Sequence, residues 1–161
     1  MGELLATAWF LPFVLPICFY VAWTDLARMK ITNVAVGALL VVFAVVGAMV
    51  LPLPDYLWRW AHFALVLVVA LALYAGGLFG GGDAKFLAAA APYVALADLS
   101  SMLILLSGFM LAAYAAHRLA RASALRRLAP GWESWTSGRR FPMGLPFGGA
   151  LATYLVVTSF A

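Results

Sequence analysis

A chain of 161 residues that is 66% hydrophobic, only 10% charged and has a mean hydropathy of +1.04 lies far from the composition of a water-soluble domain, which is about half apolar and a quarter charged. It reads as an all-α integral membrane protein with room for one domain, residues 1–161. The net charge of +4 does not point to nucleic acid, because the basic residues gather beside apolar segments, where membrane topology accounts for them. The single cysteine, Cys18, excludes an intramolecular disulfide and a multi-cysteine zinc site; in an apolar run it reads as a small packing residue.

The first apolar segment covers residues 4–24. No basic residue precedes it, so it lacks the charged start of a cleavable signal and is expected to stay. Pro12 and Pro16 are expected to kink it, which neighbouring helices in a bilayer can accommodate. A polar turn follows, Asp25 to Asn33, in which Thr32 or Asn33 suits the cap of the next helix. The second segment, residues 34–51, closes at Pro52-Leu53-Pro54-Asp55, and Trp58 and Trp60 have the character of interfacial anchors. The third covers residues 61–79 and runs into Gly80-Gly81-Gly82-Asp83-Ala84-Lys85. The fourth, from Asp83 to about Ala97, is short for a span of about 20 residues, and Pro92 bends or limits it. The fifth covers residues 102–117, its helix reaching towards Arg127. The sixth covers residues 143–160, after the one long polar stretch.

Six spans are therefore expected, and the loops orient them. Arg28, Lys30, Lys85, Arg118, Arg121, Arg126, Arg127, Arg139 and Arg140, nine of the ten basic residues, fall in the odd-numbered loops; only Arg59 falls elsewhere. The positive-inside rule puts those loops in the cytoplasm and both termini outside. The run Arg118 to Arg127, with Trp132 and Trp135, reads as an anchor on the anionic inner leaflet.

Among the acids, Glu3, Asp55, Asp98 and Glu133 lie at a terminus or in loops, where solvation explains them. Asp25 and Asp83 stand instead where an apolar span meets the cytoplasmic face, so they share a depth. An acid at that depth is expensive and points to function. Two carboxylates brought together cannot both ionise cheaply; one keeps its proton and can act as general acid while the other activates water. Asp83 has a plainer reading as a helix N-cap, and Gly80, Gly81 and Gly82 permit unusual backbone and the close approach of another chain. Lys85 can pair with an acid or snorkel to the headgroups. Tyr20, Tyr74 and Tyr93 can orient a carboxylate but suit packing and interfaces as well, and His62 and His117 have no evident partner.

These residues resemble the type IV prepilin peptidases, membrane aspartic proteases of the GxGD kind, over nearly the whole chain. Gly80-Gly81-Gly82-Asp83 fits GxGD, and Lys85 fits the lysine often found two residues on. Asp25 followed by Ile31 and Asn33 fits the first-aspartate turn, and Phe141-Pro142-Met143-Gly144-Leu145-Pro146 resembles the Pro-Gly entry to the last span. The resemblance implies catalysis by Asp25 and Asp83, with Gly80, Gly81, Gly82 and Lys85 around the substrate. It implies no metal or organic cofactor. The implied substrate is a prepilin, whose short basic leader is cut from an apolar helix at the cytoplasmic face of the bacterial inner membrane. The larger family members carry a cysteine-bearing cytoplasmic region and also N-methylate the new terminus. This chain has no such cysteines and resembles the short form associated with Tad/Flp pili, so proteolysis alone is expected. The alternative is a non-enzymatic membrane subunit of a pilus or secretion machine, or a small transporter. A transporter asks for acids near mid-membrane, and a scaffold tolerates their neutralisation.

Overall fold

The computed structural model describes residues 2–138 and 140–160, with side chains from Thr7 onward; Arg139 and the side chains of Glu3 and Leu4 lie outside the described residues. The described chain is all α. Helix α1 spans Gly2–Arg28 and α2 Asn33–Val50; α3 spans Leu53–Ala75, α4 Gly81–Ala90, α5 Leu99–Ala122 and α6 Gly144–Phe160. Four of them, α1, α2, α3 and α5, are long and apolar enough to cross a membrane. The sixth has 17 residues, and α4 has 10, a rise of about 15 Å against a hydrocarbon core about 30 Å thick. The protein is a multi-pass membrane protein, and its fourth segment is helical for only half a crossing. Beyond α4 the chain continues as a 3-10 turn at Ala91–Tyr93, where Pro92 cannot extend an α-helix, and a second at Leu96–Asp98.

Several boundaries differ from the sequence expectation. The first helix passes unbroken through Pro12 and Pro16 and carries Asp25 in its last turn rather than in a loop. It stops where Met29 takes a positive φ of 49°, a left-handed residue of the kind that ends helices. Thr32 then caps α2, accepting from the Ala35 N–H at 3.2 Å. Pro52 and Asp55 open α3 instead of closing α2, in keeping with proline and acids at helix starts.

The core forms where α1 and α6 cross and α2 and α4 pack around them. Gly148 makes the crossing possible: a Cβ there would lie 2.7 Å from the Cys18 carbonyl oxygen. Gly144 and Gly148 form a small-xxx-small pair of the kind that lets membrane helices approach closely. An aromatic cluster fills the end of the core remote from Asp25. Phe43 lies in a π-helical turn of α2 and is surrounded by Phe10, Tyr56, Trp60 and Tyr93. Two tyrosine hydroxyls serve the carbonyls around that turn, Tyr93 donating to Leu39 O at 2.6 Å and Tyr56 to Ala44 O at 3.2 Å. Trp60 is thus a packing residue rather than an interfacial anchor, while Trp58 is exposed.

Burial is uneven. Of the apolar stretches that could lie in a bilayer, 33% of residues are buried in α1 and 28% in α2, but 6% in α3 and in α5. The long helices α3 and α5 pack chiefly on α4 and α6, respectively.

Candidate active site

An open cleft of about 930 Å³ lies at the end of the bundle where α1 ends and α4 begins. Its walls come from three separated connections: Asp25 to Asn33, Gly77 to Lys85, and Arg140 to Met143. Arg28, Lys30, Lys85 and Arg140 fall within these three stretches. Both Asp25 and Asp83 line the cleft, as do Gly80, Gly81, Gly82 and Lys85. The two carboxylates, 58 residues apart in sequence, are near enough for the charge of Asp83 to act on Asp25.

Asp25 is 5% exposed. Its position is costly on two counts, since it is buried and stands at the negative end of the α1 dipole. One strong contact offsets this: the Gly144 N–H, at the start of α6, donates to Asp25 Oδ2 at 2.6 Å. The first N–H groups of a helix have no partner within it and accommodate an anion. Gly144 has no side chain because none fits; a Cβ there would lie 2.8 Å from Asp25 Cβ and 3.1 Å from Val21 Cγ1.

Asp83 is half-buried at the third position of α4, so it is not the N-cap; that place is taken by Gly80. Its carboxylate turns back onto the Gly80 backbone, to which it is hydrogen-bonded, the reach-back half of a capping box. A Cβ on Gly80 would come within 2.7 Å of Asp83 Oδ2. The neighbouring glycines are pressed by other elements, Gly81 by the Tyr74 ring at 3.4 Å and Gly82 by Ile31 Cβ at 3.2 Å from where a Cβ would stand. Ile31 therefore locks the first-aspartate turn against the second-aspartate loop. Lys85 Nζ donates to Asn33 Oδ1 at 3.2 Å, a second tie between the same two connections, so its partner is neither aspartate.

The third wall is held by α5. Arg121 and Arg118 donate to Gly138 O at 2.9 and 3.5 Å. The buried His117 ring stacks on Trp135 at 5.1 Å and meets the edge of Phe141 at 5.7 Å. Two of the basic residues expected to face lipid thus hold a protein loop, and Trp135 packs inward. Tyr74 shapes the glycine loop, Tyr93 serves α2, and Tyr20 is exposed on α1 and lines a different groove from the two acids. The sequence reading passed over the Gly144 amide as a partner for Asp25. The Gly144–Gly148 spacing in an apolar stretch was the available signal of a close helix contact.

Two carboxyl groups lining one cleft are the components that acid–base attack on a peptide bond requires, one ionised and one protonated. Among the described residues, no cluster of histidine, cysteine and acidic side chains is suited to a metal. Residues 12–116, close to two-thirds of the chain, match the model of the Type IV leader peptidase family. The match includes Asp25 and Gly80 to Lys85 but stops short of Gly144. No curated protein and no solved structure matches the chain.

Proposed function

Since the chain belongs to the Type IV leader peptidase family, we propose that it is an aspartic endopeptidase that removes the short basic leader from a prepilin, with Asp25 and Asp83 as the catalytic pair. The observation that carries this reading is the shared cleft: two acids from distant parts of the chain line one opening, and the more buried of them is held by a backbone amide. One carboxylate takes a proton from the attacking water while the other gives one to the departing amine. Gly80 to Gly82 line the cleft, and in this reading their backbone faces an extended substrate strand, while the space of their missing side chains is taken by Asp83, Tyr74 and Ile31.

The same reading places the cleft at the cytoplasmic face of the bacterial inner membrane, with six crossings and both termini periplasmic. In its support, α4 starts at the cleft and α5 ends beside the cleft-wall residue Phe141, so residues 81–98 run from one end of the bundle to the other even though only α4 is regular helix. The absence of paired cysteines supports proteolysis without methyl transfer, as in the short Tad/Flp-type enzymes. A transporter is less well supported, because both acids sit at one end of the bundle. The decisive experiment compares processing of a co-expressed prepilin by wild type and by Asp83→Asn at matched membrane levels, with the mature terminus weighed by mass spectrometry. Leader release by wild type alone, without the mass of an added methyl group, is the expected result; processing by the variant sinks the peptidase reading.

A further inference from the structure

Between α3 and α5 lies a second opening, a cavity of about 230 Å³. His62 and Leu65 of α3, Leu87 and Ala90 of α4, and Leu99 and Leu103 of α5 line it, and His62 is its one polar side chain. The short helix α4 is its floor. Because α4 is anchored through its other face, with Ala84 and Ala88 fully buried and Phe86 stacked on Phe147, it cannot rise to fill the gap. The walls do not close it either: Leu65, Leu99 and Leu103 are each about half or more exposed, and the two long helices around them are the least buried of the chain.

The floor connects this groove to the cleft. Asp83, Leu87 and Ala90 follow one another at i, i+4 and i+7 and share one face of α4. Asp83 opens onto the cleft while Leu87 and Ala90 open onto the groove. Ala90 stands only about 10 Å along the helix from Asp83. A peptide cut at the cleft therefore has an apolar channel within two turns of the reacting carboxylate. The other apolar groove, between α1 and α2 around Pro16, Ile17 and Tyr20, has no such continuity, because Asp25 shares its helix face with Val21, Cys18 and Val14 instead.

We infer that the groove between α3 and α5 seats the apolar helix of the substrate, laid along the outer face of α4 with its first turn beside Asp83. This rests on the peptidase reading, which supplies a substrate whose apolar helix follows the scissile bond. The side chains of that helix enter the groove as knobs enter holes. His62, in the lining, puts a polar side chain at the far end.

Photocrosslinking tests the seat. Benzoylphenylalanine is placed singly at Leu65, Leu87 or Leu103, and as controls at Val41, Val45 or Val157, which are exposed on other helices. The host is the Asp83→Asn protein, co-expressed with a prepilin that retains its leader and apolar helix. The expected result is prepilin adduct at least tenfold stronger from the groove positions than from the controls. Equal yields from both sets, an adduct of two copies of this chain, or no protein adduct at the groove overturns the inference, the last meaning that lipid fills it. Processing of the same prepilin by wild type is measured in parallel. Cleavage without groove adducts rejects the docking alone, adducts without cleavage reject the peptidase reading alone, and the absence of both rejects both.

Discussion

Asp25 sits in the last turn of α1, 5% exposed, and takes its hydrogen bond from Gly144, 119 positions further on. Asp83 sits in the first turn of α4, half-buried, against the backbone of Gly80 three residues earlier. A helix start favours an acid and a helix end disfavours one, so Asp83 conforms to local preference and Asp25 defies it. Departures of this kind concentrate at functional sites and are compensated elsewhere. For Asp25 the compensation is tertiary, the close crossing of α1 and α6; for Asp83 it is local, a loop of three glycines. The cleft thus joins an acid held by the whole bundle to an acid held by its own turn.

The strongest way to break that comparison is to neutralise each acid. If they act as one pair, Asp25→Asn and Asp83→Asn should lower prepilin cleavage alike, by about 10²- to 10⁴-fold, however differently they are held. Asparagine keeps an acceptor for the Gly144 N–H, so membrane levels should stay near wild type. The check is initial cleavage rate at matched protein level. Activity in either variant above a few per cent of wild type would remove that acid from the chemistry.

The next effect separates the two supports. A Cβ at Gly144 would stand 2.8 Å from Asp25 Cβ, and Val21 blocks retreat, so Gly144→Val must part α1 from α6. We expect a loss of roughly 1–3 kcal/mol of stability, as for other overpacked cores, together with a fall in cleavage of more than about tenfold, which needs only 1.4 kcal/mol at the transition state. Thermal unfolding in detergent and cleavage rate report the two; a variant with wild-type values for both would show that the α1–α6 crossing does not hold Asp25.

The same contrast explains what was legible in the sequence. The loop of glycines before Asp83 announces itself because all its parts are neighbours in the chain. The apolar runs likewise reveal the helices, and proline at 92 marks the end of regular helix in the fourth segment. The support of Asp25 is not written locally. After Glu3, charged residues resume at position 25, which suggests a turn, yet nothing there breaks helical hydrogen bonding until Met29 turns left-handed, and Met29 N still donates to Asp25 O at 2.9 Å. The pair Gly144 and Gly148 signals close packing, but not against which helix. Tryptophan suits interfaces and cores equally well, so only the fold distinguishes exposed Trp58 from Trp60 on Phe43 and Trp135 on His117.

A smaller effect is expected at the local support. In Gly82→Val the new Cβ would meet Ile31 Cβ at 3.2 Å, a contact that a few tenths of an ångström of movement relieves, and the branched side chain would stiffen the turn before Asp83. Cleavage should fall by about three- to tenfold, or roughly 1 kcal/mol at the transition state, while unfolding temperature changes less than in Gly144→Val. Comparing the two variants as the ratio of lost activity to lost stability sharpens the division: the ratio should be higher for Gly82→Val. The reverse order would mean that the glycine loop is a structural element and that Asp83 depends on the bundle as Asp25 does.

The smallest effect should come from the tie between the two supports. Lys85 Nζ donates to Asn33 Oδ1 at 3.2 Å across an exposed edge of the cleft, where water competes for both groups. A hydrogen bond of this kind contributes about 0.5–1.5 kcal/mol at most, and Ile31 against Gly82 still joins the same connections when it is gone. Lys85→Ala should therefore leave cleavage within about threefold of wild type, and Asn33→Ala should match it, because each removes one half of the same contact. Combining the two should add little. Cleavage rates for the two single variants and the double variant form the cycle. If Lys85→Ala alone costs more than tenfold while Asn33→Ala costs little, the ammonium acts on substrate or on Asp83 rather than on Asn33, and Asp83 has a charged support that its own turn does not supply.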